Sequence, residues 1–275
     1  MNNLLYIYYY FSVITFIFLS INLSFAQNVD KKEQRKAKKE LRLSETTKYF
    51  NIGFVFSKSN VLDERMSSLV QSGSGIGLYA GGKTYRKNKV REYSMQAGYE
   101  RLLSPYDMLS HQIWTQFNYT HLYQLPKRND YIFAVGPVAN IVSNTRVTKD
   151  LSNNIVNWEL LGSIGIAAYY EQAIRRSGRF SAWVFFADAQ VPFLYYVSRP
   201  NYAISSPVWR DNVKITGGAN RVNAQVGLII PVRKNNPNLY RISYQWTFLH
   251  NKDNEFQKVV NGRHAFVFIF LINAI

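Results

Sequence analysis

Between residues 239 and 249 the chain reads LYRISYQWTFL. Tyr240, Ile242, Tyr244, Trp246 and Phe248 occupy one parity, and Arg241, Ser243, Gln245 and Thr247 the other. A period of two places successive side chains on opposite faces of a β-strand, so one face is bulky and apolar and the other small and polar. The same period runs through Phe50, Ile52, Phe54 and Phe56, opposite Asn51, Gly53 and Ser57, with Val55 as the exception. It recurs at 72–85, 90–103, 111–125, 131–145, 155–172, 180–197, 220–232, 239–250 and 260–271, which with the first predicts ten strands.

Most of these runs exceed the roughly five or six residues of an ordinary strand and reach the nine to eleven or more that cross a bilayer at a tilt. Short connections near Lys87-Asn88, 126–130, 173–179 and 234–238 alternate with longer ones at 58–71, 104–110, 146–154, 198–219 and 251–259. This rhythm fits a transmembrane barrel with tight turns on one side and longer loops on the other. The segment 198–219 is the longest and the candidate surface-exposed functional loop. Pro137 and Pro192 fall inside strands, where bulges or kinks are expected because proline cannot donate to the ladder.

Charge decides which face is wet. A soluble barrel needs Lys and Glu on its outer face, yet 111–125 and 131–145 contain no Lys, Arg, Asp or Glu, and 155–170 contains only Glu159, 180–197 only Asp188 and 221–232 only Arg221. The polar parity is mild: Gln112, Gln116, Asn118 and Thr120 in one strand, Ser243, Gln245 and Thr247 in another. The bulky parity is therefore assigned to lipid and the polar one to an enclosed lumen. A closed sheet leaves no backbone group unpaired in hydrocarbon. The expected fold is all-β, an antiparallel transmembrane β-barrel of about ten strands (range 8–12) over 47–275. A charge on the lipid face at the midplane costs roughly 2–4 kcal/mol, so Glu159, Asp188, Arg221 and Arg241 are expected to point inward as ion-pair candidates, with Glu92 and Glu100 as further rim and lumen members.

The formal net charge of +16 raises nucleic acid as a partner, but the aromatic residues lie on strands and the basic ones at their ends, which disfavours that reading. The short turns carry Arg86 and Lys87, Lys127 and Arg128, Arg175 and Arg176, and Arg233 and Lys234, placed to meet membrane phosphates on the periplasmic side. Residues 1–26 hold no charged side chain and close on Ser24-Phe25-Ala26, which reads as an export signal cut before Gln27, with an uncleaved membrane anchor as the alternative because the apolar run is long and no Lys or Arg stands near the start. Residues 27–46 are rich in Lys and Arg and lack an apolar stripe, which suggests a solvated periplasmic tether.

Cysteine is absent, so thiolate metal sites, disulfides and cysteine nucleophiles are excluded. The four histidines, His111, His121, His250 and His264, have no serine two residues away, and Ser110 beside His111 points to the opposite face of a strand. No catalytic residue, metal site or cofactor is expected. SGSGIGLYAGG at 72–82 lacks the Lys-Ser/Thr and the helix of a phosphate cradle. Its glycines on one parity fit a strand that bends, or one over which an aromatic ring packs.

With these residues in view, the chain resembles outer-membrane β-barrel proteins of Gram-negative bacteria, and Ala26-Gln27 with the Tyr/Phe/Asn/Lys-rich composition resembles those of the Bacteroidota. RHAFVFIFLINAI at the C-terminus is similar to the terminal strand such barrels offer to the barrel-assembly machinery, although it ends on Ile275 instead of an aromatic. The resemblance implies an outer-membrane location, contact with outer-membrane lipids and an envelope protein partner. Ten strands leave little lumen, since open channels need about sixteen. The expected role is a structural or complex-forming subunit associated with secretion or the envelope, and not an enzyme. The alternative is a lipid-modifying enzyme, such as a lipid hydrolase, or a narrow solute channel.

Overall fold

A computed structural model describes residues 46–64, 67–86, 88–125, 131–148, 156–174, 183–200, 209–215, 221–232, 236–252 and 258–274. The expected export signal and most of the tether lie outside the described residues. Every regular element among the described residues is a strand: β1 (Thr47–Asp63), β2 (Ser67–Arg86), β3 (Lys89–Leu103), β4 (Leu109–Gln124), β5 (Tyr131–Thr148), β6 (Val156–Ile174), β7 (Trp183–Pro200), β8 (Trp209–Ile215), β9 (Arg221–Pro231), β10 (Leu239–Lys252) and β11 (Lys258–Asn273).

All pairings are antiparallel, and they run in chain order from β1 to β7, then through β9, β10 and β11 back to β1. The ring is closed by fifteen register pairs between β1 and β11, from Tyr49↔Asn273 to Asp63↔Val259. β8 adds no eleventh place. It pairs with β7 from Leu194↔Ile215 to Pro200↔Trp209, and β9 pairs with the same strand from Gln190↔Asn223 to Val184↔Ile229. β8 and β9 thus share one place in the wall, interrupted at 216–220, which makes ten positions in all.

The two expected proline effects differ. At Pro192 the register shifts: Ile164 pairs with Leu194 but Gly165 with Pro192, so Phe193 is the extra residue of a bulge. Pro137 keeps its register with β6. The β4–β5 pairing is instead interrupted between Thr120↔Val138 and Tyr123↔Val135, because a residue without an N–H cannot continue that ladder.

The difference in loop length read from the sequence is not kept. Residues 64–66, 104–108, 149–155, 201–208 and 253–257 lie between strands at one end, and 87–88, 125–130, 175–182 and 232–238 at the other. The span 58–71 is mostly strand, and 198–219 contains β8. Pairing continues past the point where apolar alternation stops, through Lys58, Asn60, Ser72 and Ser74.

Phe54 is 58% exposed, Ile76 65% and Phe266 65%, while Val55, Gln112 and Trp114 on the opposite parity are at 1% or less. A water-soluble barrel does not present such a belt. On β1 the outward apolar residues Phe50, Ile52, Phe54 and Phe56 lie between outward Lys48 and Lys58. Ten residues at ~3.4 Å each, tilted by ~40°, give a height of ~26 Å, the thickness of the apolar band of a membrane barrel.

Candidate functional site

The inward parity fills the barrel in tiers, and the tier nearest Thr47 and Asn273 is apolar. Val90, Leu122, Ala134, Val138, Ala167, Tyr169, Phe186 and Ile229 are all buried against one another there.

Above it, Glu92 is the hub of a charged cluster. Its Oε1 accepts from Nη1 of Arg241 at 2.9 Å and from the Tyr79 hydroxyl at 3.1 Å, and its Oε2 lies 3.6 Å from Nζ of Lys83. Lys83 also donates to the Tyr169 hydroxyl at 2.7 Å, and Arg241 donates to Oε1 of Gln225 at 2.8 Å with its guanidinium 4.2 Å from the Phe186 ring centre. Side chains from β2, β3, β6, β7, β9 and β10 are therefore tied together across the lumen. Lys83 is 1% exposed, so its charge is compensated by a neighbour and not by bulk water.

At mid-height a cavity of about 30 Å³ is lined almost wholly by polar side chains, among them Glu92, Gln96, Gln116, Asp188, Gln190, Arg241 and Gln245. That volume admits about two waters and is too small for a solute. Gln96 donates to Gln245 across the lumen at 3.2 Å, and Arg263 donates to Gln116 at 2.7 Å while stacking 4.0 Å over Trp114.

Trp114 lies on bare backbone, which accounts for part of the glycine-rich pattern. A Cβ on Gly98 would stand 2.6 Å from its ring, and one on Gly77 3.1 Å from it. Gly98→Val is expected to destabilise the barrel by about 1–3 kcal/mol through overpacking, measured as a lower temperature of heat-modifiable gel mobility. An unchanged temperature would mean that the ring has room to move.

The far tier is mixed: Val142, Leu161, Tyr195, Val197 and Leu249 pack as a buried apolar cluster, and polar side chains fill the rest. Arg146 meets Asp63 at 3.2 Å and donates to Gln112 at 3.0 Å, and Asn157 donates to Asp63 at 2.7 Å. Glu100 accepts from Gln112 at 3.1 Å and from Ser57 at 2.6 Å.

The four lumen candidates all lie on strands of the wall but do not form one network. Arg241 is in the Glu92 cluster. Asp188 accepts from Gln190 at 3.0 Å and borders the same cavity. Glu159 accepts from Asn144 at 3.4 Å in the far half. Arg221 is 2% exposed; its backbone N–H donates to the Tyr195 hydroxyl at 2.8 Å, and its two terminal guanidinium nitrogens have no hydrogen-bond partner. Sequence reasoning missed Lys83, Asp63 and Arg146. The signal for Lys83 was a cation on the parity of Tyr79 and Gly81, and Arg146 stood one residue past the assigned strand end. Of the basic turn residues, Arg86 is exposed at the end of β2; Lys87, Lys127, Arg128, Arg175, Arg176, Arg233 and Lys234 lie outside the described residues.

Among the described residues no serine is hydrogen-bonded to a histidine. His111 bonds through Nδ1 to the Tyr99 hydroxyl and His264 to the Tyr244 hydroxyl, and His121 stacks on Tyr123. No group of three or more acids and histidines capable of holding a metal occurs among the described residues.

No protein-family model and no curated protein sequence matches the chain. Among solved structures, the chain is similar to the translocator domain of the autotransporter NalP from Neisseria meningitidis at 9% identity, covering 89% of this chain and 97% of that one, with a TM-score of 0.35. It is similar to the β domain of the Bordetella autotransporter BrkA at 12% identity, with coverage of 82% and 99% and a TM-score of 0.34. It is also similar to the toluene transporter TodX of Pseudomonas putida at 7% identity, with coverage of 83% and 90% and a TM-score of 0.32. The barrel assignment rests on the closed ring of strand pairs.

Proposed function

We propose that the chain is an integral barrel of the bacterial outer membrane, with both termini in the periplasm, that serves as a structural or complex-forming subunit of the envelope. The observation that carries this reading is the filled lumen: an apolar tier, a charged cluster and a mixed far tier occupy the bore, and the cavity between described residues at mid-height measures about 30 Å³. A barrel without a bore presents its wall, its loops and its tether. The outward belt supports the membrane assignment, and the basic turns fit the phosphates of the inner-facing leaflet. A non-enzymatic role is supported by His111 and His264, which face outward and are bonded to tyrosine hydroxyls.

A narrow passage is the second reading, favoured by the polar lining of the cavity. The two readings part on one measurement. In planar bilayers the purified chain is expected to give no conductance steps, and gentle solubilisation is expected to recover it with a stoichiometric partner. Steps in the wild type that change on Asp188→Asn would overturn the structural reading in favour of a passage.

A further inference from the structure

On the outward wall, at the end of the barrel away from Thr47 and Asn273, register partners place five residues in one lateral row. His264 pairs with Lys58, Lys58 with Ser74, Ser74 with Arg101, and Arg101 with His111. Four strand steps of ~4.8 Å make the row ~19 Å wide. His264, Lys58, Ser74 and Arg101 are exposed and His111 is half-buried.

The rows on either side define its level. Below lie Phe266, Phe56, Ile76, Tyr99 and Ile113, part of the apolar belt; above lie Gly262, Asn60, Ser72, Leu103 and Leu109. None of these fifteen positions holds an acid. Lys58 and Arg101 have no ion pair or side-chain hydrogen bond among the described residues. Each histidine is held by a tyrosine from the row beneath, His264 by Tyr244 and His111 by Tyr99. Each of these bonds fixes its imidazole ring at the level of the row.

Two uncompensated cations and two fixed imidazoles thus stand where acyl chains give way to headgroups. We propose that this row binds the phosphate groups of a phosphorylated glycolipid of the lipid A class in the leaflet on that side, with its acyl chains lying on Phe56, Phe266 and Ile76. The inference rests on the outer-membrane reading above. Guanidinium and ammonium donors satisfy phosphate oxygens by charge-assisted bonds, and the hydrocarbon beneath favours a lipid over a soluble phosphate.

The test uses the detergent-purified full chain, titrated with lipid A or with its dephosphorylated form and read by native mass spectrometry. The wild type is expected to retain lipid A and to release the dephosphorylated lipid. Lys58→Gln with Arg101→Gln is expected to weaken retention roughly thirtyfold, at about 1 kcal/mol per charge, while Thr84→Ala at the other end leaves it unchanged. Equal retention of both lipids, or no change in the double variant, would overturn the proposal. Flotation with phosphatidylcholine vesicles separates the two levels. Insertion of both wild type and double variant keeps the membrane reading whatever the lipid A result, and a wild type that does not insert removes both readings.

Discussion

Replacing Glu92 with alanine is expected to lower the unfolding free energy of the barrel by about 3–5 kcal/mol, because it removes the one carboxylate that directly contacts both buried cations, Lys83 and Arg241. Both cations are within 4 Å of the lost carboxylate, at 3.6 and 2.9 Å, and they are 1% and 3% exposed. The Tyr79 hydroxyl loses its acceptor at the same time. Urea unfolding from lipid vesicles, followed by tryptophan fluorescence, measures the difference. The diagnostic companion is the triple variant Lys83→Met, Glu92→Leu and Arg241→Met, which removes the charges together. It is expected to recover most of the loss, since a buried ion cluster replaced by apolar groups of similar volume is often neutral or stabilising. A Glu92→Ala barrel as stable as the wild type would mean that water reaches the cluster and compensates both cations.

The second large effect concerns the wall. Phe54→Arg at the middle of the outward belt is expected to cost roughly 2–4 kcal/mol, enough to impair assembly, whereas Asn60→Arg, beyond Lys58 on the same face of the same strand, is expected to cost about 0–1 kcal/mol. Phe54→Leu serves as the apolar control. The readout is the fraction of protein reaching the heat-modifiable form in vesicles. Equal effects at 54 and 60 would contradict the placement of this face in hydrocarbon, because only a bilayer makes the cost depend on height along one strand.

The alternation that predicts the fold is legible because lipid imposes a one-residue rule over many strands: Phe50 to Phe56, Tyr240 to Phe248 and Phe266 to Phe270 all face outward as their parity predicts. Strand ends are less legible. Beyond the belt both faces meet polar surroundings, so Lys58 and Asn60 on β1 and Gln71 on β2 read as loop although they continue the ladder. β8 was hidden for the same reason, since WRDNVKI carries charge on a strand outside the apolar band. The lumen was legible only as a parity. That Glu92 meets Arg241, 149 positions away, depends on the stagger of ten strands around the ring, and a one-dimensional pattern contains no signal for which inward residues share a height. The composition of the lumen could be read, but its pairings could not.

The seam between β1 and β11 has a kinetic consequence. It joins segments about two hundred positions apart, so its loop-closure entropy is overcome only after the intervening strands are in place, and high contact order slows such closure. Until then the outer edges of β1 and β10 remain open templates for the strands of other copies. The nascent chain therefore has most need of a chaperone in the interval before its final strand docks, and a variant that prolongs this interval would aggregate even if its finished barrel were fully stable.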